Sequence, residues 1–77
     1  MFDKYSVVAV RIRFSDFVYV GEFIYVDNKH QTCTLENVTI VRLSNGEKFH
    51  SEIVYLFNVI SVCLNDTEEE VEGDKPM

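Results

Sequence analysis

Apolar and polar positions alternate with a period of two along most of this chain, the signature of half-buried β-strands. In residues 5–14, Val8, Val10, Ile12 and Phe14 fall on one face, and Val7, Ala9, Arg11 and Arg13 on the other. Ser15 and Asp16 make a minimal turn, since both side chains bond readily to nearby backbone. Residues 17–27 form a long second strand with Gly21 inside it, where a glycine marks a bulge or bend. Such a bend lets Phe23 and Val26, three apart, both reach the core.

After Asp27, residues 28–31 read as a turn whose amides Asp27 can cap. Residues 32–43 form the third strand, with Cys33 and Leu35 on one face and a change of phase near Asn37 and Val38. Asn45-Gly46, between two alternating runs, is a strong hairpin signal, because both residue types accept positive φ. The fourth strand spans about 48–57, with Val54 and Leu56 on one face and Ile53 and Tyr55 on the other. Asn58 breaks it, and residues 59–64 make a fifth.

No stretch carries a 3.6-residue period over three turns. The expectation is therefore all-β: a small five-stranded, strongly bent antiparallel sheet or barrel with little or no N-terminal helix. It occupies residues 1–64. Residues 65–77 have no apolar pattern and read as an acidic disordered tail.

Charge sharpens this division. Residues 1–64 hold six Lys/Arg and seven Asp/Glu, whereas residues 65–77 hold one lysine and six acids. The body is close to neutral, so a strong electrostatic drive toward nucleic acid is absent. No apolar run approaches the length of a membrane-spanning helix, and no basic-then-apolar leader opens the sequence. Cys33 and Cys63 form no CxxC pair and read as free, buried thiols of a reducing compartment. His30 and His50 have no second ligand at metal spacing, so no metal and no cofactor are expected. No nucleophile–base or carboxylate pair suggests an enzyme.

The aromatics Phe17, Tyr19, Phe23, Tyr25, Phe49, Tyr55 and Phe57 can stack bases or build a core and an interface. The lack of interleaved basic residues favours core and interface. Arg11 and Arg13 are the remaining nucleic-acid candidates. Residues 52–57 and 59–64 are apolar on both faces, which fits strands covered by another chain. Ile53, Val54, Tyr55, Leu56, Phe57, Val59, Ile60 and Val62 are accordingly the candidate partner-binding positions.

Gly21-x-Phe23-x-x-Val26-Asp27, a short turn, then Cys33-x-Leu35-x-x-Val38, resembles the first Sm motif. The resemblance covers roughly residues 7–64, and the Asn45-Gly46 turn falls between its third and fourth strands. It departs from RNA-binding ring subunits at two places. Gln31 and Thr32 stand where a loop asparagine follows the aspartate, and the loop is one residue longer. Leu56-Phe57-Asn58 stands where the second motif has an Ile-Arg-Gly-like sequence. The chain is most similar to divergent Sm-like domains: the enhancer-of-decapping and Scd6/Rap55 group, or the Gemin Sm-like proteins of the SMN complex.

That resemblance implies a protein-interaction module of an RNA-processing or mRNA-decay (decapping) ribonucleoprotein assembly, in the cytoplasm or its granules. Its partners would be Sm-like proteins or short linear motifs, held through the edges of the fourth and fifth strands in a homo- or hetero-oligomer. Direct RNA binding would be weak or absent, and no membrane is involved. The alternatives are a heterodimer subunit in snRNP assembly, which allows the nucleus, or a direct single-stranded RNA binder. Lys29, His30, Gln31, Thr32 and Asn58 would form its ligand-facing loops. Gly21, Phe23, Asp27, Leu35, Asn45 and Gly46 carry the structural motif.

Overall fold

A computed structural model describes residues 2–65 of the chain. It contains five strands: β1 (Val7–Ile12), β2 (Phe17–Asp27), β3 (Thr32–Arg42), β4 (Lys48–Leu56) and β5 (Val59–Leu64). All pairings are antiparallel, in the order β4-β3-β2-β1-β5, with no helix among the described residues. The sheet is not closed, so β4 and β5 are its two edges.

Connectivity requires this sheet to curl. Four steps of roughly 4.8 Å would hold the edges of a flat five-stranded sheet about 19 Å apart. Leu56, which ends β4, and Val59, which begins β5, are joined by Phe57 and Asn58 alone. Three residues reach at most about 11 Å. The β4–β5 link is therefore possible only if the two ends of the sheet bend toward each other.

Bulges supply local twist and bending. Between Val20↔Thr39 and Glu22↔Glu36, β2 contributes Gly21 while β3 contributes both Asn37 and Val38. Asn37 takes the extra position at φ 50°, a conformation asparagine tolerates better than most side chains. Ile24 is extra on β2, which is why Phe23 is buried and Val26 still packs against the core. Ile60 is extra on β5, opposite the Arg11–Ile12 step.

The core comprises Val8, Val10, Phe23, Cys33, Leu35, Val38 and Leu56. Burial of such side chains contributes about 1.5–3 kcal/mol each for the larger ones. The N-terminal segment closes one end without a helix. Tyr5 N–H donates to the Phe23 carbonyl at 2.7 Å, and Phe23 N–H donates to the Ser6 carbonyl at 2.8 Å. The Phe2 ring meets Phe23 edge-on at 5.7 Å.

Three expectations need correction. The first strand ends at Ile12, and Phe14 turns out of the sheet at φ 59°, 98% exposed, instead of joining Val8 and Val10. Five residues, 43–47, connect β3 to β4, and Gly46 N–H donates to the Arg42 carbonyl at 2.8 Å. Gly46 alone takes positive φ there, while the Asn45 side chain accepts from Glu47 N–H at 2.9 Å. Finally, Cys63 is exposed on β5, because an edge strand of an open sheet has no layer over that face. Of the expected acidic tail, Asn65 N–H donates to the Val7 carbonyl at 3.0 Å, and residues 66–77 lie outside the described residues.

Candidate functional site

The alternation along β4 sorts its side chains cleanly. Val54 and Leu56 oppose Leu35 and Cys33 and turn inward, with Leu56 buried. Ile53 and Tyr55 turn outward, and Tyr55 is 64% exposed. Phe57 and Ile60 are likewise exposed, at 63% and 54%. Val59 and Val62 pack partly against the core. Of the eight candidate partner-binding positions, Ile53, Tyr55, Phe57 and Ile60 are thus displayed to solvent, while Leu56 serves the interior.

These displayed residues sit on or between strands with one unpaired side. β4 pairs only with β3, and β5 only with β1. Each edge therefore presents a row of main-chain N–H and C=O groups able to accept an added strand. The two edges lie at opposite ends of the strand order, so a strand that fits one need not fit the other.

The turn between β2 and β3 lies against the start of β5. Val59 N–H donates to the Gln31 carbonyl at 3.0 Å, and Arg13 N–H donates to the Asn58 carbonyl at 2.9 Å. Gln31 and Asn58 both sit at φ 57°, so two left-handed residues set this junction. The candidate loop residues Gln31 and Asn58 are thereby brought together, and Lys29 and His30 stand exposed beside them. Thr32 instead pairs with Asp27 as the first residue of β3. A groove of about 430 Å³ runs along this junction, between residues 59–62 and the pair Asn28 and Gln31, with Phe2 and Val26 also lining it.

Asp27 shapes that turn. Its carboxylate accepts from Lys29 N–H at 3.1 Å, from His30 N–H at 3.4 Å and from His30 Nδ1 at 2.7 Å. The hydrogen bond from the His30 ring is the main cause holding its carboxyl below the ordinary aspartate value. This is turn chemistry of the kind an aspartate at a strand end performs. His50 is exposed on β4, opposite Thr39.

Arg42 is committed elsewhere. Its guanidinium stands 4.8 Å from the Phe17 ring centre and 6.0 Å from that of Phe49, with Nε 3.5 Å from Glu47 Oε1. Alternation does not reveal this stack; the Phe17↔Arg42 register creates it. Among the described residues, no three His, Cys, Asp or Glu side chains gather as a metal site. None of the described polar or charged side chains is buried. Burial pushes the Cys33 thiol upward, away from the nucleophilic thiolate. Among the described residues, the arrangement offers exposed apolar side chains on the edge strands and the groove beside β5.

No protein-family model matches the chain, and no curated protein matches it.

Proposed function

We propose that this chain is a non-catalytic protein-interaction module, a divergent Sm-like domain of an RNA-processing or mRNA-decay assembly. It binds partner proteins through its strand edges and the groove beside β5. One observation carries this reading: β4 and β5 are both unpaired edges, and Ile53, Tyr55 and Ile60 display apolar surface on them. Open apolar edges invite strand addition, and proteins that keep them commonly keep them covered by a partner. The place in RNA metabolism rests on the resemblance of Gly21–Asp27 and Cys33–Val38 to the first Sm motif. Decapping factors are the leading class of partner.

A second reading is a Gemin-like heterodimer subunit in snRNP assembly. It is supported by the placement of the two edges at opposite ends of the strand order, which suits an Sm-like neighbour adding its own strand at one of them. Direct RNA binding has less support. Gln31 and Thr32 replace the loop asparagine, and Asn58 ends a segment without the Arg-Gly pair.

The test is affinity capture from the source cell with nuclease present, using the wild-type chain and the I60K variant, followed by mass spectrometry. The proposal expects a set of proteins that survives nuclease and disappears with I60K. Decapping factors in that set support the first reading, and SMN-complex components the second. Identical sets from both baits would contradict strand-edge binding.

A further inference from the structure

We propose that β5 pairs antiparallel with the β5 of a second copy of this chain, about a two-fold axis at Val62, to give a weak isologous dimer. The inference rests on the strand-edge reading, from which it takes the free edge, and it names a second copy as the occupant.

Hydrogen-bond direction shows which groups of β5 are free. Asn65 N–H donates to the Val7 carbonyl at 3.0 Å. Bonding alternates along an antiparallel ladder, so Cys63 and Ser61 also bond toward their register partners Ala9 and Arg11. The N–H and C=O groups of Val62 and Leu64 therefore point away from β1, along the open edge. Val62 and Leu64 stand opposite Val10 and Val8, two residues of the core. Ser61 and Cys63 alternate onto the other face, and both are exposed.

The sequence of the strand argues for a second copy. A two-fold contact needs a strand that reads alike in both directions, because the same patch serves both subunits. Ile60-Ser61-Val62-Cys63-Leu64 has that symmetry: large apolar, small, valine, small, large apolar. Pairing centred on Val62 sets Ile60 opposite the partner subunit's Leu64, and Ser61 opposite the partner subunit's Cys63. Ile60 and Leu64 are both exposed, so each covers apolar surface that the other leaves in water. Charge agrees with this occupant. No residue of β5 is charged, so two copies of it meet without like charges opposite each other. The other edge differs: β4 carries Lys48, His50 and Glu52 and lacks the symmetry. Area sets the strength. A strand of six residues offers less than the roughly 1,200 Å² that stable complexes bury. The dissociation constant is accordingly on the order of 0.1 mM, and at low-micromolar concentration the chain is a monomer with β5 open.

The experiment uses the full chain with no other protein present, as wild type, I60K, L64E and I60K/L64E. Sedimentation equilibrium is recorded from about 10 µM to about 1 mM, a range that brackets the expected constant. Wild type should approach a dimer at the upper end. Each single change sets a charge opposite an apolar residue and should weaken association about tenfold or more. The double change sets lysine opposite glutamate at both ends and should return association to within about threefold of wild type. A wild type that stays monomeric throughout would overturn the proposal. So would species larger than a dimer, which mark head-to-tail pairing of β4 with β5, or a double variant as weak as the single ones.

A further variant, S61C, reads the register without those charges. Ser61 and the partner subunit's Cys63 form a non-hydrogen-bonded pair with Cα atoms about 4.5 Å apart, within disulfide range. The two Cys63 residues of a dimer lie about 8 Å apart, beyond that range. Mild oxidation should therefore give a covalent dimer of S61C and not of wild type. No covalent dimer of S61C, or as much from wild type, would overturn the register. A monomeric wild type together with an I60K-sensitive set of captured proteins would sink self-pairing and leave the strand-edge reading in place.

Discussion

Gly21 and Val38 face each other across the bulge between β2 and β3, with no room for a β carbon between them. One built on Gly21 would lie 3.0 Å from Val38 Cγ2, 3.2 Å from Val38 Cα and 2.9 Å from the Glu36 carbonyl oxygen. Two of these three neighbours are backbone atoms, which cannot swing aside. The requirement for glycine here is close approach across the bulge. Gly21→Ala should destabilise the domain by about 1–3 kcal/mol, and Gly21→Val by more. In a domain of this size each kcal/mol lowers the melting temperature by roughly 4–8 °C. An unchanged melting temperature would contradict the packing described.

Leu35 is wholly buried, opposite Phe23 on one side and Val54 on the other. Leu35→Ala removes most of a side chain from a core of seven residues and should cost about 2–5 kcal/mol. Small domains have only about 3–10 kcal/mol in total. Urea denaturation should therefore find this variant partly or wholly unfolded in buffer.

The Asp27 carboxyl is held below its ordinary value chiefly by the His30 ring, and its linkage to folding has a definite sign. A carboxylate with a depressed folded value stabilises the native state above its unfolded value. That stabilisation is lost as pH falls through the folded value. Wild type should thus lose stability relative to Asp27→Asn as pH is lowered from about 5 to 2. Denaturation midpoints of both proteins over that range provide the check, and parallel curves would contradict the turn's electrostatics.

The two thiols should react very differently. Cys33 is buried and its thiol is pushed up by desolvation, whereas Cys63 is exposed. Alkylation followed by mass spectrometry should modify Cys63 first, with Cys33 reacting only as the domain opens. Equal rates would mean that β3 is not the interior strand described.

Much of this architecture is legible in the alternation of side chains. All five strands fall within two residues of the positions the pattern predicts, because side chains alternate between two faces along each strand and turn residues separate them. The phase breaks at Gly21 and at Asn37–Val38 meet in one bulge, whose extra residue is on β3, while the shared inward turn of Phe23 and Val26, expected from a bend at Gly21, comes from a second bulge at Ile24. Alternation fails where a strand stops, since it ignores backbone conformation: Phe14 keeps the apolar rhythm of β1 yet leaves the sheet at positive φ. It also cannot decide which strands become edges. Residues 52–57 and 59–64 read as apolar on both faces, and strand order turns that observation into two free edges. The Asp27–His30 turn was partly visible as an aspartate closing a strand. The bond from Val59 N–H to the Gln31 carbonyl at the end of that turn is not visible, because it depends on the curl of the sheet.

Tyr55→Lys and Ile60→Lys should leave the fold intact, since both side chains are exposed, while abolishing partner association. Circular dichroism checks the first half, and a binding assay with a captured partner the second. Loss of the β-sheet spectrum would place these residues in the core instead.

The most direct test of strand-edge binding is amide hydrogen exchange, measured on the chain alone and in complex with a captured partner. Alone, β4 and β5 should exchange faster than β2 and β3, which are paired on both sides. In the complex, amides of at least one edge strand should slow markedly. Protection confined to the interior strands or to the turns, with β4 and β5 unchanged, would contradict the account.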